Sequence, residues 1–119
     1  MNENIKTYYA KLYELACKGY RLTEGEHYAM NAYRYSLDKQ SSEFECNELP
    51  WSTDMKDFVK SLRKAGATQI AVTDRSTALM ESLHKLAEQG CTIESLCTVT
   101  RENAWCGKEE APAIRINLN

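Results

Sequence analysis

Proline is scarce in this sequence, with two residues in 119, so no proline-rich linker divides the chain. No apolar run approaches the roughly 18 residues needed to span a bilayer. The start, Met1-Asn2-Glu3-Asn4-Ile5-Lys6, lacks the basic and apolar stretches of a secretion signal. The expectation is a cytoplasmic protein without a membrane partner. An excess of one charge is also missing: 15 Lys and Arg against 17 Asp and Glu leave a net charge of -2. That balance gives no global pull toward nucleic acid or acidic membranes. The two histidines, His27 and His84, have no second His or Cys three or four residues away, so no metal site is expected. Five cysteines, Cys17, Cys46, Cys91, Cys97 and Cys106, are an odd number with no CxxC pair. Reduced thiols are expected rather than a disulfide framework. Nothing in the sequence implies a cofactor.

What is present reads as one α/β or α+β domain over residues 1–119, with a helical part over 1–40 and a β-α-β-α-β-β part over 43–119. Ile5, Tyr8, Tyr9, Leu12, Leu15 and Ala16 recur at helical spacing, and Gly19 ends that helix. Thr23 followed by Glu26 forms a capping box for a second helix running to about Asp38. Phe44 and Cys46 alternate with Glu43, Glu45 and Asn47 in a short strand that ends at Leu49-Pro50. The hydroxyls and acid of Trp51-Ser52-Thr53-Asp54 suit a cap for a helix with Met55, Phe58, Val59 and Leu62 on one face, ending at Gly66. Thr68 to Thr73 is a buried strand. Asp74, Ser76 or Thr77 is expected to cap the next helix, with its stripe of Leu79, Met80, Leu83, Leu86 and Ala87, and Gly90 closes it.

Cys91 to Val99 is a further strand with Cys91, Ile93, Cys97 and Val99 pointing one way, and Ala113 to Leu118 alternates Ile114, Ile116 and Leu118 against Arg115 and Asn117 as a strand with one wet face. Strands joined through single helices pair in parallel, whereas the last two, joined by a loop, are antiparallel. The result is a three-layer-like sheet, parallel with an antiparallel carboxyl-terminal strand.

In such a sheet ligands gather beyond the carboxyl ends of the strands. Thr73, Asp74, Arg75, Ser76 and Thr77 occupy that place, and the turn at 50–54 with Trp51 lies beside it if the two strands are neighbours. Arg75, Ser76 and Thr77 have the chemistry for an anion, but Asp74 opposes one and no glycine opens the turn. Helix capping accounts for the same residues, and packing onto the helix it precedes accounts for Trp51. In the polar connection Arg101 to Lys108, Trp105 either closes an end of the core or offers a contact surface, and Cys106 is the thiol expected to be most exposed. Lys56, Lys60, Arg63 and Lys64 make a basic helical face for nucleic acid, offset by Asp54 and Asp57.

At Phe44 to Trp51 and again at Val72-Thr73-Asp74-Arg75-Ser76-Thr77-Ala78-Leu79-Met80, the chain resembles a family of small uncharacterised proteins carried on phages and mobile elements of Gram-positive gut bacteria. The resemblance covers about residues 43 to 100 and brings no activity, so no catalytic or binding residue is carried over. It implies an accessory protein that engages a host or element-encoded protein. The function expected from the sequence is therefore non-catalytic protein interaction. A small ligand-binding domain or enzyme built on the turns at 50–54 and 73–77 is the alternative, and nucleic-acid binding ranks last.

Overall fold

The computed structural model describes residues 1–119. Its elements follow in the order α1 (Glu3–Cys17), α2 (Glu24–Asp38), β1 (Glu45–Cys46), α3 (Met55–Lys64), β2 (Gln69–Val72), α4 (Leu79–Glu88), β3 (Thr92–Asn103) and β4 (Gly107–Asn117). No helix is long and apolar enough to cross a membrane. The capping box forms at the start of α2, where Thr23 Oγ1 accepts the Glu26 N–H at 3.1 Å and Glu26 Oε1 accepts the Thr23 N–H at 2.9 Å. At α3 and α4, no side-chain cap forms, contrary to the expectation. Ser52–Asp54 instead makes a 3-10 turn running into α3, and Ser76 contributes its carbonyl, which accepts the Leu79 N–H.

The sheet has the order β1-β2-β4-β3. β1 and β2 are parallel, and β4 is antiparallel to both of its neighbours, β2 and β3. The two amino-terminal helices, the parallel pairing and the antiparallel last strand are those expected, in an α+β arrangement. β4 inserts between β2 and β3, so the parallel pairing expected of these two strands does not form, although they share a direction.

All four helices contribute to one core against one sheet face. Ile5, Tyr9 and Leu12 of α1, Ala29 and Met30 of α2, Met55, Phe58 and Leu62 of α3 and Leu86 of α4 meet Ile70, Val72 and Ile116. Tyr9 stacks on Tyr33 with ring centroids 4.9 Å apart, and burial pushes its phenol well above the ordinary range. α2 crosses α3 at Gly25, where an added Cβ would lie 2.5 Å from the Phe58 amide nitrogen. That close crossing explains why the apolar residues of α2 spread around the helix: one side meets α3 and another meets β1. The α4 stripe is narrower than its sequence implies, because Met80 and Ala87 are exposed and Ser82 is buried with Leu86.

The opposite sheet face has its own small cluster of Ala71, Val99 and Ala113, to which no helix contributes. β1 and β3 stand at opposite ends of the strand order, about 14 Å apart in a flat sheet at roughly 4.8 Å per strand. Yet the Ser42 N–H donates to the Thr100 carbonyl at 2.9 Å, the Thr100 N–H donates to Ser42 Oγ at 3.0 Å, and the Glu102 N–H donates to the Lys39 carbonyl at 2.7 Å. The sheet must curl for these bonds to form, and alanines at 71, 111 and 113 leave room for the curvature.

Three expectations differ from the structure. The polar stretch 101–108 is not a loop: β3 and β4 run on to Asn103 and from Gly107, so only Ala104-Trp105-Cys106 forms the tip. Pro112 is tolerated inside β4 because the ladder with β2 covers only Ile114 to Asn117. Glu45, expected on a polar face, is fully buried. A register irregularity between Ile93 and Ser95 also breaks the single inward row predicted for β3, leaving Ile93 exposed while Val99 is buried.

Candidate functional site

Because β1 and β2 are parallel neighbours, the chain leaves both at the same end, and the turns that follow lie side by side. Asp74 ties them together. Its Oδ2 accepts the Leu49 N–H at 3.1 Å and its Oδ1 accepts the Ser76 N–H at 2.6 Å. Asp74 is therefore a brace between two turns rather than a helix cap. Between the turns opens a cleft of about 440 Å³, whose wall includes Trp51, Asp74, Ser76 and Thr77. Trp51 is 75% exposed, so it does not pack onto the helix it precedes.

Two of the residues singled out in the sequence are not in this wall. Thr73 points to the other sheet face, where its hydroxyl donates to Glu45 Oε2 at 2.6 Å. Arg75 is exposed and contributes nothing to the cleft. Others join instead: Tyr28 from α2, Glu48 from the first turn, and Glu81, Ser82 and Lys85 from α4. The sequence carried a faint signal for the last three, since positions 81, 82 and 85 share one side of a helix. Glu48 and Tyr28 arrive only through the tertiary fold.

The face opposite the helices holds the strongest electrostatic arrangement in the molecule. Arg101 Nε donates to both carboxylate oxygens of Glu45 at 2.9 Å, and its Nη2 bonds Oε2 as well. Ser41 Oγ donates to Oε1 at 2.9 Å. Burial by itself would raise the Glu45 carboxyl, but the hydrogen bonds from Arg101, Thr73 and Ser41 outweigh it and hold the carboxyl below its ordinary range. Arg101 also lies 5.6 Å from the centroid of the Tyr35 ring. Nearby, Arg115 forks onto Glu43 through two bonds of 2.9 Å. These groups are saturated by one another, so they hold the curl closed and leave no free acid, base or nucleophile.

At the far end of the hairpin Trp105 is 95% exposed, and Cys106 beside it is exposed too. The proximal half of β3 adds Leu96, 83% exposed, together with Ile93. β3 is an edge strand, and the bonds from Ser42 show that the Thr100 N–H and C=O face outward from the hairpin. With the alternation of an antiparallel strand, the N–H and C=O of Thr98 and Leu96 face the same way, and no strand pairs with them there.

The basic helical face is not free for phosphates. Arg63 Nε donates to the Leu118 carbonyl at 2.6 Å and Nη2 to the Gln89 carbonyl at 2.8 Å, while Lys60 and Lys64 share a small hollow with Asp57 and Glu26. His27 and His84 are both exposed, and no group of three or more His, Cys, Asp or Glu side chains is arranged to hold a metal.

No curated protein and no solved structure matches the chain. A family profile does, from Tyr28 in α2 to Leu118 after β4, which takes in the cleft, the buried ion pair and the whole hairpin. The chain belongs to the family described as a domain of unknown function, DUF7698.

Proposed function

We propose that the protein is a non-catalytic interaction module whose β3–β4 hairpin docks a partner protein chain. The observation that carries this reading is the free edge of β3, where outward backbone groups at Leu96 and Thr98 lie beside a Leu96 side chain that is 83% exposed. An uncovered edge strand with large apolar side chains is a ready template for a strand from another chain. Trp105, at the tip, extends the same hairpin as an aromatic anchor. Catalysis lacks support, because each polar group on the inner face of the curl is committed to another. The resemblance to proteins of phages and mobile elements adds a context, an accessory protein acting on a host or element-encoded protein.

The test is affinity capture with wild-type chain and the variants Leu96→Lys, Trp105→Ser and Trp51→Ala, followed by reconstitution with the purified partner and hydrogen exchange. Expected is a partner held by wild type and Trp51→Ala, lost by Leu96→Lys, with new amide protection over Thr92 to Val99. A partner that Leu96→Lys retains, or protection confined to other segments, would overturn the reading.

A further inference from the structure

The cleft between the two turns has a chemistry of its own, separate from the hairpin. Its charges are unbalanced. Glu48, Asp74 and Glu81 line it, and the one cation in the wall, Lys85, is held by Glu88 with Nζ and Oε2 3.1 Å apart. The Asp74 carboxylate meets two backbone amides and no cationic side chain. An anion entering here would face three carboxylates, and Arg75 lies outside the wall. A cation would find them complementary.

Two further features point to an occupant with both charge and apolar surface. Trp51 presents most of its ring to solvent at the rim, and indole is the aromatic face that attracts cations best. Ser82 lines the cleft, is 8% exposed, and its hydroxyl has no hydrogen-bond partner within the chain. No buried side-chain oxygen of the chain lacks a partner, so the Ser82 hydroxyl reaches solvent, and the cleft is the open space it lines. The volume of about 440 Å³ lies in the range of small-molecule sites.

We propose that this cleft binds an organic cation, an ammonium or guanidinium group seated among Glu48, Asp74 and Glu81 with its methylene stem against Trp51. The same chemistry has two sources: a free polyamine, or a Lys or Arg side chain of a peptide. The experiment uses the full chain carrying Trp105→Phe, so that indole fluorescence reports Trp51 alone, titrated with spermidine, with a short acetylated arginine peptide, and with inorganic phosphate at matched ionic strength.

Saturable quenching or enhancement by at least one cation is expected, and none by phosphate. Glu48→Gln combined with Glu81→Gln should weaken binding at least tenfold, and since both side chains are exposed the variant should keep its thermal midpoint. Lys85→Gln should tighten binding. A response to spermidine alone identifies a free polyamine, and a response to the peptide alone identifies a side chain. Absence of saturation with both cations, saturation by phosphate, or unchanged affinity in the double variant would overturn the proposal. Its failure would leave the hairpin reading untouched, because Trp51 and the carboxylates are not part of β3.

Discussion

Arg101 closes over both carboxylate oxygens of Glu45 from 56 residues away in sequence, joining strands at opposite ends of the sheet order. Glu45 is fully buried and Arg101 nearly so. Burying two charges is costly, and only their attraction and the hydrogen bonds around them offset that cost. The pair therefore adds little net stability over an apolar substitute, yet removal of one partner strands the other. Its structural consequence is the curl, since β3 cannot leave β1 without exposing this pair and the Ala71, Val99 and Ala113 cluster.

Glu45→Gln and Arg101→Met are each expected to destabilise the fold by about 3 kcal/mol, because each leaves a buried group without its counter-charge. The double variant should cost clearly less than the sum of the two. Urea unfolding followed by circular dichroism measures all four species of the cycle, and additive losses would show that the two residues act independently.

The same pair sets an acid dependence. Hydrogen bonds hold the Glu45 carboxyl below its ordinary value of 4.5, despite the opposing effect of burial. A carboxyl depressed in the folded state binds fewer protons there than when unfolded. Its contribution is therefore complete above about pH 4.5 and is lost as pH falls from there through the lower folded value. Thermal midpoints measured from pH 6 down to pH 3 should fall more steeply in wild type than in Glu45→Gln, and parallel profiles would refute the assignment.

The helices were legible because their signals are local. The Thr23 and Glu26 capping box lies within four residues, and Met55, Phe58, Val59 and Leu62 repeat at helical spacing along a single face. The βαβ pattern puts the turns at 50–54 and 73–77 side by side only if the two strands pair, and the parallel pairing of β1 with β2 meets that condition. Glu45 was not legible: a glutamate alternating with apolar residues reads as solvent-facing, and its partners Arg101 and Thr73 arrive from distant strands. The length of the hairpin was hidden for a related reason. Both faces of its outer half carry polar side chains, Glu102 and Lys108 on one and Arg101 and Glu109 on the other, so the alternation that marks a half-buried strand is absent. In the cleft, Asp74 reads as a cap because caps are local, whereas its bond to the Leu49 N–H depends on the two strands pairing.

Gly25 is expected to resist substitution. An added Cβ would lie 2.7 Å from the Asp54 carbonyl oxygen as well as 2.5 Å from the Phe58 nitrogen, and neither backbone atom can move aside cheaply. Gly25→Ala should destabilise by about 1 to 3 kcal/mol through separation of α2 from α3, although alanine favours a helix on intrinsic grounds. A denaturation midpoint equal to or above wild type would show that the two helices are not in such close contact.

Thiol reactivity offers a map of the same architecture. Cys17 and Cys106 are exposed, Cys97 is half-buried against the small cluster inside the curl, and Cys46 and Cys91 are buried. Burial pushes the Cys46, Cys91 and Cys97 thiols above their ordinary value of 9.0, which reduces the reactive thiolate fraction in addition to blocking access. With a thiol reagent at pH 8, Cys17 and Cys106 should label first, Cys97 next, and Cys46 and Cys91 only as the protein opens. Urea below the unfolding transition should accelerate Cys46 and Cys91 in proportion to the loss of global stability, because their reaction passes through the unfolded state. Cys97 should respond differently. Glu45→Gln loosens the curl in which it packs, so that variant should speed Cys97 more than its global destabilisation alone requires, while Cys17 and Cys106 keep their rates. Mass spectrometry of time-quenched samples resolves all five positions. Cys97 tracking Cys46 and Cys91 in every condition would mean that the curl and the helical core open together as one unit.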